Sequence, residues 1–194
     1  MTHDQHTGSR RVDVAVVGGG LAGLAAAAFA ARAGASVTLL DGRAVGGRAR
    51  SADREGFVLN EGAHALYVKG VALAALRDLG VPVAGAPPLA DTYRLVWDGE
   101  VVPMPAGAAA LAGSRLLSTR SKVKLAGWIT NARRHAERCG DVSVAAWLDD
   151  QRAGDDLRRY VLATMRLGSY AARPEVAAAP LLLRQMALGA QGVL

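Results

Sequence analysis

The sequence predicts an α/β protein with a parallel βαβ unit at its front end and a mainly helical remainder. Two observations carry that prediction. Val12, Val14, Val16 and Val17 form a β-branched run that stops at three consecutive glycines, then gives way to small helix-forming residues and a second apolar run. From Gly107 onward the texture changes, and helical periodicity dominates to the end of the chain.

Residues 1–10 are polar and read as a loose tail, with His3 and His6 lacking partners arranged as a site. The valine run suits a short strand buried on both faces. Gly18, Gly20 and Gly23 then fit G-x-G-x-x-G, with Leu21 and Ala22 between the last two glycines. The first glycine permits a tight strand-to-helix turn, the second lets backbone approach a pyrophosphate, and the third lets the helix pack closely on the sheet. Leu21 to Ala33 are good helix formers, and Gly34 is a natural stop. Val37 to Leu40 reads as the second strand. Asp41 closes it, 23 residues beyond Gly18, near the spacing of about 20 that places an acid on the adenosine ribose. A helix N-terminus, with free N–H groups and a favourable dipole, would meet the phosphates. A bare glycine motif is weak, but strand, glycines, helix, strand and acid in this order specify an ADP-type dinucleotide site.

After Asp41 come Gly42, Arg43, Ala44, Val45, Gly46, Gly47 and Arg48. Together with the first motif, this segment resembles the extended glycine fingerprint of the flavoprotein superfamily that holds amine oxidases, protoporphyrinogen oxidases and phytoene desaturases. The resemblance implies a Rossmann-like fold and FAD as cofactor. In that family the second strand usually ends in Glu, and Asp41 is one methylene shorter. The resemblance places Gly46, Gly47 and Arg48 near the pyrophosphate and flavin, and adds Gly42 and Arg43 to the cofactor-binding set. Arg48 is also the residue type suited to neutralising phosphate; the alternative for Arg48 and Arg50 is a solvated basic turn. Glu61, Gly62, Ala63 and His64 resemble the family's D-x-G-x-H-type segment, where backbone meets flavin, with Glu61 and Ala63 as departures. His64 is read either as a flavin contact or as a hydrogen-bonded structural residue, and Glu61 has no partner evident from sequence.

Phe57, Val58 and Leu59 suggest a short strand. Val71 to Leu79 has the pattern of an amphipathic helix stopped by Gly80. Residues 84–88 form a turn or linker. Tyr93 to Trp97 and Val101–Val102 flank Asp98-Gly99, which predicts a hairpin. Helices are expected over 108–117, 121–138, 143–151, 155–167 and 174–188, with Ser121 and Asp155 as N-caps and Pro174 at a first helical position. Leu125, Trp128 and Ile129 would share one buried face, as would Val144, Trp147 and Leu148. The division that results is a tail (1–10), an FAD-binding part (11–88) and a partial, mainly helical substrate domain (89–194).

Composition bounds the rest. At 51% hydrophobic and 21% charged over 194 residues, the chain is globular rather than disordered. One cysteine, Cys139, excludes an internal disulfide and argues against a thiolate metal cluster, so no metal is expected. No apolar segment at the N-terminus suggests a secretory signal, and a cytoplasmic location is expected. The formal charge of +6 is carried mostly by arginines, without the aromatic interleaving of an RNA-binding surface, so no nucleic-acid partner is expected. The mix of apolar and basic residues between Leu111 and Arg138 allows peripheral membrane contact.

The resemblance implies a flavin that accepts a hydride from a C–N or C–C bond of a small-molecule substrate, with lipophilic substrates among the options. It also implies that these residues are only the front of a longer architecture, with an open sheet edge available to a complementing chain or to self-association. The readings left open are a catalytically silent dinucleotide-binding piece and an NAD-dependent dehydrogenase. No catalytic residue is assigned.

Overall fold

The computed structural model describes residues 11–62, 65–87, 89, 93–105, 107–169 and 171–194. Ala63, His64 and the tail lie outside them. The chain divides into two units. The first comprises the described residues up to Gly62 together with Ala74–Val83, and the second comprises Ala65–Leu73 and the described residues from Ala84 to Leu194. Together they make a mixed α/β protein with a parallel βαβ start and a helical second half.

In the first unit, β1 (Val14–Val17) leads through the glycine turn into α1 (Leu21–Arg32), and β2 (Val37–Leu40) pairs parallel to β1 with Val14 opposite Val37. Asp13 and Ser36 lock the open end: the Ser36 amide and hydroxyl both donate to Asp13 Oδ2, and Ser36 Oγ accepts from the Asp13 amide. At the far end of α1, Arg32 donates to the carbonyl and the carboxylate of Asp78. A 3-10 turn (Gly47–Ala49) precedes a hairpin of β3 (Ser51–Arg54) and β4 (Phe57–Asn60).

One expectation fails here. The first strand is not buried on both faces, because Ala15 is exposed and Val17 is 85% exposed while Val14 and Val16 are half-covered. Among the described residues this sheet has two strands, and α1 packs on it. The strand β3 was not anticipated, since S-A-D-R has little β-propensity; its pairing with the apolar β4 creates it.

α2 (Val71–Asp78) is divided between the units. In the second unit, β5 (Arg94–Trp97) and β6 (Glu100–Pro103) form the expected hairpin, with Asp98 and Gly99 both at positive φ. There follow α3 (Gly107–Gly113), α4 (Thr119–Thr130), α5 (Ala132–Arg138), α6 (Val144–Asp150), α7 (Asp155–Ser169) and α8 (Ala179–Gly189). Their shared core includes Leu125, Trp128, Val144, Trp147, Leu157 and Leu183. The rings of Trp128 and Trp147 meet at 4.5 Å, so both tryptophans are core anchors. Arg159 lies over the Trp97 ring at 4.2 Å and also pairs with Asp98, fixing the hairpin turn to α7.

Several helical expectations are corrected, the first being that over 108–117, where the helix ends at Gly113. The N-cap of α4 is Ser118, whose hydroxyl accepts from the Ser121 amide; Ser121 is buried in the first turn. Asp155 is the first residue of α7 rather than its cap. The helix expected over 121–138 breaks at Asn131, which turns to φ −109°, ψ 18° and donates its side-chain amide to the Gly127 carbonyl. The helix expected over 174–188 is a 3-10 turn (Pro174–Val176) followed by an extended step. Ala177 and Ala178 are extended there: the Ala177 carbonyl accepts from the Val144 amide, the Ala179 amide donates to the Val142 carbonyl, and α8 then starts with Pro180 in its first turn. Ile129, expected to be buried, is 38% exposed.

Candidate functional site

The expected site residues of the first unit converge at the C-terminal ends of β1 and β2. Gly18 takes φ 102° and its amide donates to the Leu40 carbonyl at 2.7 Å, so the turn leaves β1 while still tied to β2. A β-carbon on Gly23 would lie under 3.0 Å from the Gly18 carbonyl oxygen, 3.1 Å from Gly18 C and 3.4 Å from Val16 Cγ1. That contact is the close approach of helix to strand turn which the third glycine was expected to serve. Gly20 differs: a β-carbon there would meet nothing within 4 Å. The middle glycine therefore faces open space, at the mouth of the turn.

α1 starts without a side-chain cap and without an acid in its first turn. The amides of Leu21, Ala22 and Gly23 donate to no described residue; the first bond of the helix is from Leu24 to the Gly20 carbonyl. The end of α1 at Gly20 is thus a cluster of unsatisfied donors beside a glycine whose β-position is open.

Asp41 sits across this turn. Its Oδ2 accepts from the Gly19 amide at 2.5 Å and its Oδ1 from the Arg43 amide at 2.8 Å. The Gly19 bond, then the Arg43 bond, hold the carboxyl below the ordinary carboxylate range. Each oxygen keeps acceptor capacity beyond its one bond. Gly42 and Arg43 continue around the carboxylate, exposed.

The G-G-R segment returns to the same place. The Gly46 amide donates to the Gly19 carbonyl at 2.7 Å, and Gly46 bridges Gly20 in parallel fashion. Gly47 opens the 3-10 turn that carries the exposed Arg48. Gly62 packs so tightly on this turn that a β-carbon would collide with the Arg48 carbonyl oxygen. Three separated stretches, 18–23, 41–48 and 61–62, are therefore one backbone assembly.

Glu61 has a partner that sequence reasoning missed. Its Oε2 accepts from Arg50 Nε at 2.6 Å, and its amide donates to the Arg50 carbonyl. The signal was available in the register: Ser51 faces Asn60, so the next position outward sets Arg50 against Glu61. Gly19, the undistinguished middle residue of the triplet, was missed as the donor that anchors Asp41. Ala63 and His64 lie outside the described residues. No group of three or more metal-ligating side chains occurs among the described residues.

Residues 16–79 match the family described as NAD(P)-binding Rossmann-like domain. No curated protein sequence matches the chain. Among solved structures, putrescine oxidase bound to putrescine superposes with a TM-score of 0.67 at 23% identity, over 91% of this chain and 41% of that one. An oxidoreductase from Methanosarcina mazei gives 0.63 at 20% identity, over 93% and 44%. A protein described as a protoporphyrinogen oxidase from Exiguobacterium sp. 255-15 gives 0.54 at 19% identity, over 93% and 47%. The chain spans less than half the length of each. It begins with a Rossmann-like βαβ unit and has the fold of the corresponding part of these structures.

Proposed function

We propose that the chain binds FAD at the β1–α1 turn and forms the cofactor-holding part of a flavin-dependent oxidoreductase. The observation that carries this reading is the pairing of an uncrowded Gly20 with the unsatisfied amides of Leu21, Ala22 and Gly23. Open space beside free N–H groups at a helix start suits a pyrophosphate, which the helix dipole also favours.

Asp41 fits the ribose, because its carboxylate stays ionised and is held in place by Gly19 and Arg43 while retaining lone pairs for hydroxyl donors. Arg48, exposed on the Gly46–Gly47 turn, suits the phosphate or flavin side. Gly62, held against Arg48 by backbone contact, keeps Glu61 and itself beside that turn. The bound flavin would supply the redox chemistry, taking a hydride or its equivalent from a C–N or C–C bond of a small-molecule substrate. The chain's own residues bind and orient it. Glu61, clamped by Arg50, holds the hairpin and is not an acid–base group in this reading.

A second reading has one observation in its favour, since the family matched over residues 16–79 is named for NAD(P). Titration of the purified chain with FAD and, separately, with NAD decides between them. FAD at about 100 times its Kd should stabilise the fold by about 2.7 kcal/mol, and flavin absorbance should co-elute with the protein. Gly20→Val should keep the fold and lose the binding. A melting temperature raised by NAD but not by FAD, or undiminished FAD binding by folded Gly20→Val, would overturn the proposal.

A further inference from the structure

The chain's positive charge is concentrated in one stretch. Residues 107–140 hold seven lysines and arginines against one acid, Glu137, an excess of six that equals the +6 of the whole chain. Everything else is balanced. The pairing pattern shows the same division. Arg32, Arg50, Arg158, Arg159 and Arg173 each pair with a carboxylate. Within 107–140, Arg115, Arg120, Arg133, Arg134 and Arg138 are all exposed, and none pairs with a carboxylate among the described residues. The lysines are tied to carbonyls and keep their charge: Lys122 donates to Ala112, and Lys124 to Gln151 and Arg152.

Helical geometry gathers the arginines. Across the break at Asn131, Ser121, Leu125, Trp128, Ala132 and Ala136 continue one buried stripe. Steps of three and four residues on the opposite side bring up Arg120, Val123, Thr130, Arg134 and Arg138, with Glu137 beside them. Val123 is 70% exposed in the middle of this cationic face. Next to it, the Lys122–Ala112 bond holds α3, whose Ala108, Ala109 and Ala110 are exposed.

We propose that the outer face of α4 and α5, with α3 alongside, is a docking surface for an anionic lipid bilayer. Unpaired guanidinium groups are complementary to headgroup phosphates, and small aliphatic side chains among them can enter the interface. A nucleic acid fits less well: the tryptophan of this stretch, Trp128, is 3% exposed and offers no stacking platform. No helix among the described residues is long and apolar enough to cross a membrane, so the contact is peripheral.

The test is co-sedimentation of the 194-residue chain with phosphatidylcholine vesicles, with and without phosphatidylglycerol. The chain should pellet with the anionic vesicles only, and be released as salt approaches about 1 M, where the screening length falls to about 3 Å. Each basic residue near an anionic surface contributes about fivefold in partitioning. The triple variant R120Q/R134Q/R138Q should therefore bind about a hundredfold more weakly, with its circular dichroism unchanged. R11Q/R54Q/R77Q, which removes as many charges from the first unit, should bind as the parent does. Equal pelleting with neutral vesicles, equal loss in both triple variants, or displacement by duplex DNA at concentrations below those of competing lipid would overturn the proposal. No flavin enters this experiment, so its outcome is separate from that of the cofactor titration.

Discussion

Substituting alanine at Gly23 tests the close approach on which the cofactor turn depends. The added carbon would be driven under 3.0 Å from a backbone oxygen, Gly18 O, and to 3.1 Å from the carbon behind it. Neither atom is the end of a flexible side chain, so either α1 slides away from β1 or the turn opens. Overpacking of this kind costs about 1–3 kcal/mol. Part is returned, since alanine exceeds glycine in helix propensity by about 0.8–1.0 kcal/mol; a rigid backbone neighbour puts the steric cost at the upper end, leaving a net loss of about 1–2 kcal/mol. That corresponds to a rise of about five- to thirtyfold in the local opening constant, and an equal fall in protection. Native-state hydrogen exchange reads it directly at the amides of Val14–Val17 and Val37–Leu40. Tryptophan emission is uninformative for this unit, because Trp97, Trp128 and Trp147 all lie in the other. Unchanged protection of β1 and β2 in Gly23→Ala would refute the close packing and with it the geometry of the turn.

Two further predictions concern carboxylates. Asp41→Ala should weaken FAD binding by about tenfold or more through lost charged hydrogen bonds, and identical titration curves for variant and parent would contradict the ribose assignment. Asp156 joins the starts of α4 and α7 by accepting from the Ser118 amide, the Ser121 hydroxyl and the Leu157 amide. Asp156→Ala should cost about 1–3 kcal/mol in urea denaturation followed by tryptophan emission. Burial raises the Asp156 carboxyl, but these hydrogen bonds together outweigh it and hold the group below its ordinary value. The sign follows: the stabilisation is complete above the unfolded carboxylate pKa of about 3.9 and disappears as pH falls through the depressed folded value. Acid titration should therefore separate parent from variant at neutral pH and bring them together in strong acid.

What could be read in advance was whatever local chemistry decides. Val37–Leu40 and the Asp98-Gly99 hairpin form as expected, because a β-branched run between turns, or two adjacent residues at positive φ, carries its own instruction. The glycine spacing likewise dictated the turn, and it distinguished in advance Gly23, whose β-position is crowded, from Gly20, whose β-position is open. The misses have non-local causes. Periodicity runs unbroken through Asn131 because the buried stripe does, so nothing in the pattern marks the change of direction. The step at Ala177–Ala179 exists because residues 142–144 supply its hydrogen-bond partners from some 35 positions away. Val17 belongs to a run that looks like interior strand, and its exposure reflects how few neighbours the described chain gives it.

The contact of Gly62 with the Arg48 carbonyl has a practical consequence for anyone altering this protein. Main chain lies directly on main chain there, as at Gly23 and Gly18, so the contour of the turn owes little to side-chain identity. A saturation scan should accordingly return two sharp classes, not a gradient. Arg43, Ala44 and Val45 should accept broad replacement, and libraries aimed at changing cofactor preference belong there. Gly23 and Gly62 should lose stability with any side chain, however conservative its chemistry, and recombination that joins unrelated halves must keep both in register.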